Sequence, residues 1–193
     1  MRNLLAKFPK LRAQAHSSTD VSLAIEHVCS LYGNKLRLSG RFVVEHAMQT
    51  AEFLTNFTSE STYLVAALYH DILEDTDLSP SDLKWISGHD GERITELVSA
   101  LTKRKDIEDW QARSVEYTNR LYQNISKGDY IIGIIKLLDR LENLTDLFAH
   151  TPKKRELIAH QTGSFFIPLA YEMKLPSVAV NLAILSNYHL YQD

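Results

Sequence analysis

Four side chains stand where an apolar helical pattern gives no ordinary reason for polar ones: His46 in RFVVEHAMQ, the adjacent pair His70-Asp71 in ALYHDILED, and Asp139 in IIKLLDRLEN. Taken singly, a lone helix histidine is usually satisfied by a neighbour, and Asp139-Arg140 reads as a local ion pair. Taken together they are two imidazoles and two carboxylates on inward faces, where desolvation makes each need a partner. Such a set is a mixed nitrogen and oxygen donor site with room for water. It suits Mn²⁺, Fe²⁺, Ni²⁺ or Zn²⁺ and is unlike a structural zinc, which prefers thiolates. Neighbours on one helix point about 100° apart, so His70 and Asp71 converge on one ion only near a helix end.

More acid follows the pair. Glu74 lies four residues after His70 and Asp75 four after Asp71, so a helix running from about 60 to 73 and continuing one turn would stack both above the ligands. Acids at a helix C-terminus oppose the macrodipole. Beside a metal they have a use, one holding a water and the other sharing its proton. Asn143, four residues after Asp139, faces the same site. Cations lie nearby in sequence, and Arg37 and Arg140 are the two expected to meet a phosphorylated substrate.

The elements that must position these groups are helical. Thr19 or Asp20 caps a helix ended by Gly33. Others are expected at 41–57, 60–73, from Ser79-Pro80 to Gly88, 89–102, 109–126, 129–149, 152–162, 163–173 and from Pro176 to 191. No stretch alternates as a strand does, so the expectation is one all-α domain, an irregular bundle of about ten helices. Residues 1–19 (MRNLLAKFPKLRAQAH and three more) are basic and read as a frayed arm or short amphipathic helix, with the domain at 20–193. A net charge of −3 offers no bulk attraction to nucleic acid polymers or anionic membranes. No run of about 18 apolar residues suggests a membrane span, and the single Cys29 fits a reducing cytoplasm. Nothing in the pattern fixes an oligomeric state.

His46, His70-Asp71 and Asp139 reproduce the H…HD…D order of the HD phosphohydrolase superfamily. YLVAALYHDILEDTD resembles the HDxxEDT segment of the (p)ppGpp hydrolase domains of RelA/SpoT-type proteins. LVSALTKRK resembles their V-x-x-V-T-K segment, and IIKLLDRLENLTDL their K-L-A-D-R-L-H-N-x-R-T-L helix. Arg37-Leu38-Ser39-Gly40 matches an R-x-S-G stretch, and FFIPLAYEMKL resembles Y-A-P-L-A-H-R-L-G, so the likeness spans roughly residues 20–176. It implies a stand-alone small alarmone hydrolase whose single Mn²⁺ is held by His46, His70, Asp71 and Asp139. Glu74 and Asp75 would activate water, Arg37 would meet the guanine, Asn143 the sugar of a guanosine alarmone, and Ser39 would also contact the substrate. The implied reaction releases pyrophosphate from the 3′ position of guanosine tetra- or pentaphosphate. Departures cluster near the nucleotide: Glu142 stands for the family's His, Leu38 for a Lys, Thr145-Asp146 for Arg-Thr, and Val43 and Ala47 for Tyr and Pro. An adenosine alarmone, the 2′-phosphate of NADPH, or binding without turnover remain alternatives, although a mere binder has no need of both Glu74 and Asp75.

Overall fold

Apolar residues at helical spacing become helices throughout residues 2–190, the part of the chain that the computed structural model describes. In order these are α1 (Arg2–Leu5), α2 (Pro9–Ser17), α3 (Thr19–Tyr32), α4 (Val43–Leu54), α5 (Ser61–Leu68), α6 (Ile72–Asp75) and α7 (Pro80–Ile86). There follow α8 (Gly91–Leu101), α9 (Trp110–Ser126), α10 (Tyr130–Thr145), α11 (Pro152–Gln161), α12 (Ile167–Glu172) and α13 (Pro176–Leu190). Among the described residues no strand forms, and an isolated antiparallel bridge joins Leu36 to Phe42. No helix there is long and apolar enough to cross a membrane.

Three elements form the centre. α5 buries Leu64 through Leu68 on every side, as its unbroken apolar run requires. α4 packs against α5 and α10, and α10 also meets α9 and α13. Of the two expectations for the N-terminal segment, residues 2–17 take the helical one: Phe8 and Leu11 are buried, and Glu52 of α4 accepts hydrogen bonds from the backbone N–H groups of Lys10 (3.2 Å) and Leu11 (2.6 Å). The cap of α3 is Ser18, one residue earlier than the sequence suggests, its side chain accepting from the Val21 N–H.

The expected continuous helix over 60–73 is interrupted. Tyr69 and Asp71 sit at φ −99°, ψ 3° and φ −104°, ψ 0°, a turn conformation that ends α5 at Leu68 and restarts the chain as α6. Glu74 and Asp75 therefore do not extend the ligand face by one turn; they lie on a separate short helix. A second turn shapes the other side of the site. Residues 35–43 fold back on themselves, with Arg37 N–H bonded to the Arg41 carbonyl (2.8 Å) and Val43 N–H to that of Lys35 (2.9 Å). Gly40 closes this turn at φ +83°, a conformation glycine adopts without cost. Arg37 and Arg41 are thus set side by side at the entry to α4.

α7 starts where Ser79-Pro80 predicts, with a capping box: Ser79 Oγ accepts from Asp82 N–H (3.2 Å) and the Asp82 carboxylate accepts from Ser79 N–H (2.9 Å). It packs tightly on α8, where a Cβ added at Gly91 would lie 2.1 Å from the Lys84 carbonyl oxygen. Between α11 and α12 the chain runs on through a π-helical turn, Thr162–Phe166, where the sequence suggested two separate helices.

Candidate metal centre and cleft

His46 from α4, His70 and Asp71 from the turn after α5, and Asp139 from α10 meet at one point. Each offers a ligand atom within 4.8 Å of the others. The two Nε2 atoms are 3.0 Å apart, Asp71 Oδ2 is 3.5 and 3.2 Å from His46 and His70, and Asp139 Oδ1 is 3.1 and 3.4 Å from them. His46, His70 and Asp139 are buried. The broken helix explains the convergence, since the turn at Tyr69–Asp71 brings adjacent side chains to one point that a straight helix would splay.

The tautomers decide what the cluster wants. His46 Nδ1 bonds the Glu142 carboxylate and His70 Nδ1 bonds the Ala67 carbonyl (2.8 Å), so both Nδ1 atoms are donors. That leaves two bare Nε2 lone pairs facing each other and two carboxylate oxygens, a concentration of negative charge that calls for a cation. Without one, protons must serve. Burial opposes charging the rings, but contacts with Asp139, Asp71 and Glu142 lift the His46 pKa well above its ordinary value, and Asp71 and Asp139 lift that of His70 to about 9. Burial likewise raises the two carboxyls. His70 and His46 still hold Asp71 well below the usual range, and Lys136 with the two rings does the same for Asp139. A divalent ion replaces those protons with no change in the donor atoms, so the residues fit one.

The surroundings are ordered by hydrogen bonds from α10. Asp139 Oδ1 accepts from Asn143 Nδ2 (2.6 Å), and Asp139 Oδ2 from Lys136 Nζ (2.5 Å). Lys136 is a buried cation that the sequence reading passed over; its signal was a single charge inside the apolar run Ile131–Leu138, three residues before Asp139. Glu142, where the resembled motif has His, is buried, bonds His46 and ion-pairs with Arg41 Nη1 (2.8 Å). Arg37 Nη2 donates to Asn143 Oδ1 (2.6 Å), and its Nε lies 3.2 Å from Asp146.

An open cleft of about 330 Å³ lies over the cluster, and the other expected site residues except Arg140 border it. Glu74 accepts from Lys103 N–H (2.7 Å) and lies 3.3 Å from Lys103 Nζ. Asp75 is raised in pKa by burial and then by the charge of Asp71. Arg37, Ser39 and Asn143 also line it, with Ser39 Oγ buried and without a hydrogen-bond partner among the described residues. Arg140 is elsewhere. It opens into an adjoining lobe of about 290 Å³ that shares Lys103, Lys136, Asp139 and Asn143 with the first.

A family model described as HD domain matches residues 23–173, and all four cluster residues fall inside that span. The chain belongs to the HD domain family. Among curated proteins it is 29% identical over 192 residues to a probable GTP diphosphokinase RSH3, chloroplastic, of Arabidopsis thaliana, covering 100% of this chain and 27% of that one. It is 32% identical over 171 residues to a guanosine-3′,5′-bis(diphosphate) 3′-pyrophosphohydrolase of Borreliella burgdorferi, covering 87% of this chain and 25% of that one. The HD chain thus spans about a quarter of the length of these relatives. A solved structure described as a metazoan ortholog of SpoT that hydrolyses ppGpp superposes with a TM-score of 0.63 at 22% identity, over 89% of this chain and 94% of that one. At that identity the likeness is one of fold.

Proposed function

We propose that this HD domain hydrolyses the 3′-pyrophosphate of guanosine tetra- or pentaphosphate, giving GDP or GTP and pyrophosphate, with Mn²⁺ held by His46, His70, Asp71 and Asp139. The observation that carries the reading is the meeting of that four-ligand cluster with a cleft that Glu74, Asp75, Arg37, Ser39 and Asn143 line together. Relatives named for this reaction support it.

A divalent ion held by these ligands would neutralise charge on a phosphoryl oxygen and make an attacking water more acidic. Asp75, whose pKa burial and Asp71 raise, accepts the water's proton. Glu74, fixed by the Lys103 backbone and ammonium, orients that water. Lys136 and Asn143 hold Asp139 in one rotamer, and Glu142 fixes the His46 tautomer. Exposed Leu38 and the unpartnered Ser39 hydroxyl offer an apolar face and a polar contact for the base.

A second reading, a phosphatase for another nucleotide, draws on one observation: Arg37, the residue expected to meet guanine, is already ion-paired to Asp146. Incubation with guanosine tetraphosphate and Mn²⁺, with products resolved by ion exchange, separates them. GDP and pyrophosphate appearing only with metal is the expected result. Orthophosphate in place of pyrophosphate favours the second reading, and saturable binding with no product after fresh Mn²⁺ overturns hydrolysis altogether.

A further inference from the structure

Arg120 of α9 donates to three backbone carbonyls at the end of α8, those of Ser99 (3.3 Å), Ala100 (2.9 Å) and Thr102 (2.8 Å). Glu116, one turn earlier on α9, holds the guanidinium at Nε (2.9 Å). The first two carbonyls belong to the last turn of α8, where such groups have no partner within the helix. A cation there also meets the negative end of the helix dipole. Those two contacts serve the fold.

The third contact reaches past the helix. Thr102 is extended, at φ −80°, ψ 131°, and its carbonyl shares a peptide group with the Lys103 N–H. That N–H donates to Glu74 Oε1 at 2.7 Å. A trans peptide is a rigid plane whose C=O and N–H point in opposite directions. Fixing the Thr102 carbonyl against Arg120 therefore fixes the direction of the Lys103 N–H toward Glu74. The guanidinium charge also polarises the plane and strengthens the bond at its far end.

Other groups nearby are poorer holders of Glu74. The Thr102 hydroxyl is turned back to the Val98 carbonyl (2.7 Å). The Lys103 ammonium lies 3.3 Å from Glu74 on a side chain 39% exposed. Tyr117 stands against both cations, its ring centroid 5.5 Å from the Arg120 guanidinium and 5.5 Å from the Lys103 ammonium. Arg120 does not itself line the metal cleft, so any effect it has on the chemistry passes through the Thr102–Lys103 plane.

We propose that Arg120 is a positioning residue for hydrolysis, holding the Glu74 carboxylate through the Thr102–Lys103 peptide in the rotamer that orients the attacking water. This rests on the hydrolase reading for the role of Glu74; the peptide relay itself does not depend on the substrate.

The test uses the full chain loaded with Mn²⁺, guanosine tetraphosphate as substrate, and the variants Arg120→Met, Arg120→Lys, Glu74→Ala and Glu74→Ala with Arg120→Met. Arg120→Met should lower kcat roughly tenfold or more, the scale of a misplaced orienting group, with KM and bound Mn²⁺ unchanged. Arg120→Lys can still donate to the Thr102 carbonyl and should recover part of the loss. With Glu74→Ala no carboxylate is left to position, so adding Arg120→Met should change kcat by less than about twofold. A cap that only stabilises α8 would show no such dependence on Glu74. Native kcat in Arg120→Met, or the same further loss on the Glu74→Ala background, overturns the proposal.

A second readout needs no substrate. In the protein loaded with diamagnetic Zn²⁺, the Lys103 amide proton, followed by NMR, should exchange with water about tenfold faster in Arg120→Met. An unchanged Lys103 amide overturns the proposal whatever the activity. If the native chain leaves guanosine tetraphosphate intact yet the Lys103 amide loses protection in Arg120→Met, the positioning stands and the substrate reading falls. If the native chain hydrolyses it and Arg120→Met does so equally well, the positioning falls and the substrate reading stands.

Discussion

Glu142→Gln changes one oxygen to an amide nitrogen at a position only 1% exposed, and its effect can be worked from its two neighbours. The native carboxylate accepts from His46 Nδ1 and pairs with Arg41 at 2.8 Å; Arg41 keeps Asp146 at 3.1 Å in the variant, so no cation is stranded. A hydrogen bond to a charged acceptor is worth about 1.5–3 kcal/mol and a neutral one about 0.5–1.5. The variant therefore loses about 1–1.5 kcal/mol of support for the tautomer that turns Nε2 toward the metal, and the imidazole loses basicity as well. At 1.4 kcal/mol per tenfold this is an affinity loss of roughly one decade, rising toward the hundredfold that such orienting partners command. Competition with a fluorescent chelator for Mn²⁺ at pH 7.5 reads it directly, with circular dichroism to verify the helical content. A dissociation constant within twofold of the native value would refute the claim that Glu142 orients His46 for an ion.

Glu74→Gln keeps an acceptor for the Lys103 N–H, so metal content and fold should persist while kcat falls at least a hundredfold; full activity removes Glu74 from the mechanism. Asp139→Asn should bind no stoichiometric metal after desalting, measured by elemental analysis. Both Asp139→Asn and Asp139→Ala leave Lys136 buried without a counter-ion, a fold penalty of roughly 3–5 kcal/mol, so a melting curve for Asp139→Ala like that of the metal-free native protein would count against that ion pair. Gly91→Ala forces α7 away from α8 and should cost about 1–3 kcal/mol, lowering Tm by roughly 2–4 °C for each; an unshifted Tm contradicts the close approach.

That His46, His70, Asp71 and Asp139 would meet was legible because each interrupts an apolar helical face, and the period of the pattern assigns the face without knowing its neighbours. The break at Tyr69–Asp71 was not, since no glycine or proline marks it and the apolar run continues into Ile72 and Leu73. It is imposed by the contacts that hold His70 to the Ala67 carbonyl and to its fellow ligands. Arg140 was visible as a cation beside Asp139, yet its direction into the adjoining lobe depends on Phe166, which the π-helical turn places against it. Tyr117 stands in a segment with no motif, and only the approach of α9 to α10 brings it to the adjoining lobe. The N-terminal helices dock through Phe8 and Leu11, spaced i, i+3, a pattern too short to stand out among the surrounding basic residues.

The four ligands come from parts of the chain that are remote along it: 24 positions separate His46 from His70, and Asp139 lies on α10, well beyond both. An ion at their junction is therefore also a cross-link, closing loops that the unfolded chain leaves open. Its binding free energy adds to that of folding, by about 2.7 kcal/mol at a free concentration one hundred times its dissociation constant. With such an ion bound, survival of the native chain against proteases and heat would be tied to the divalent ion supply of its surroundings. Starving the domain of metal would shorten its lifetime as well as silence its chemistry.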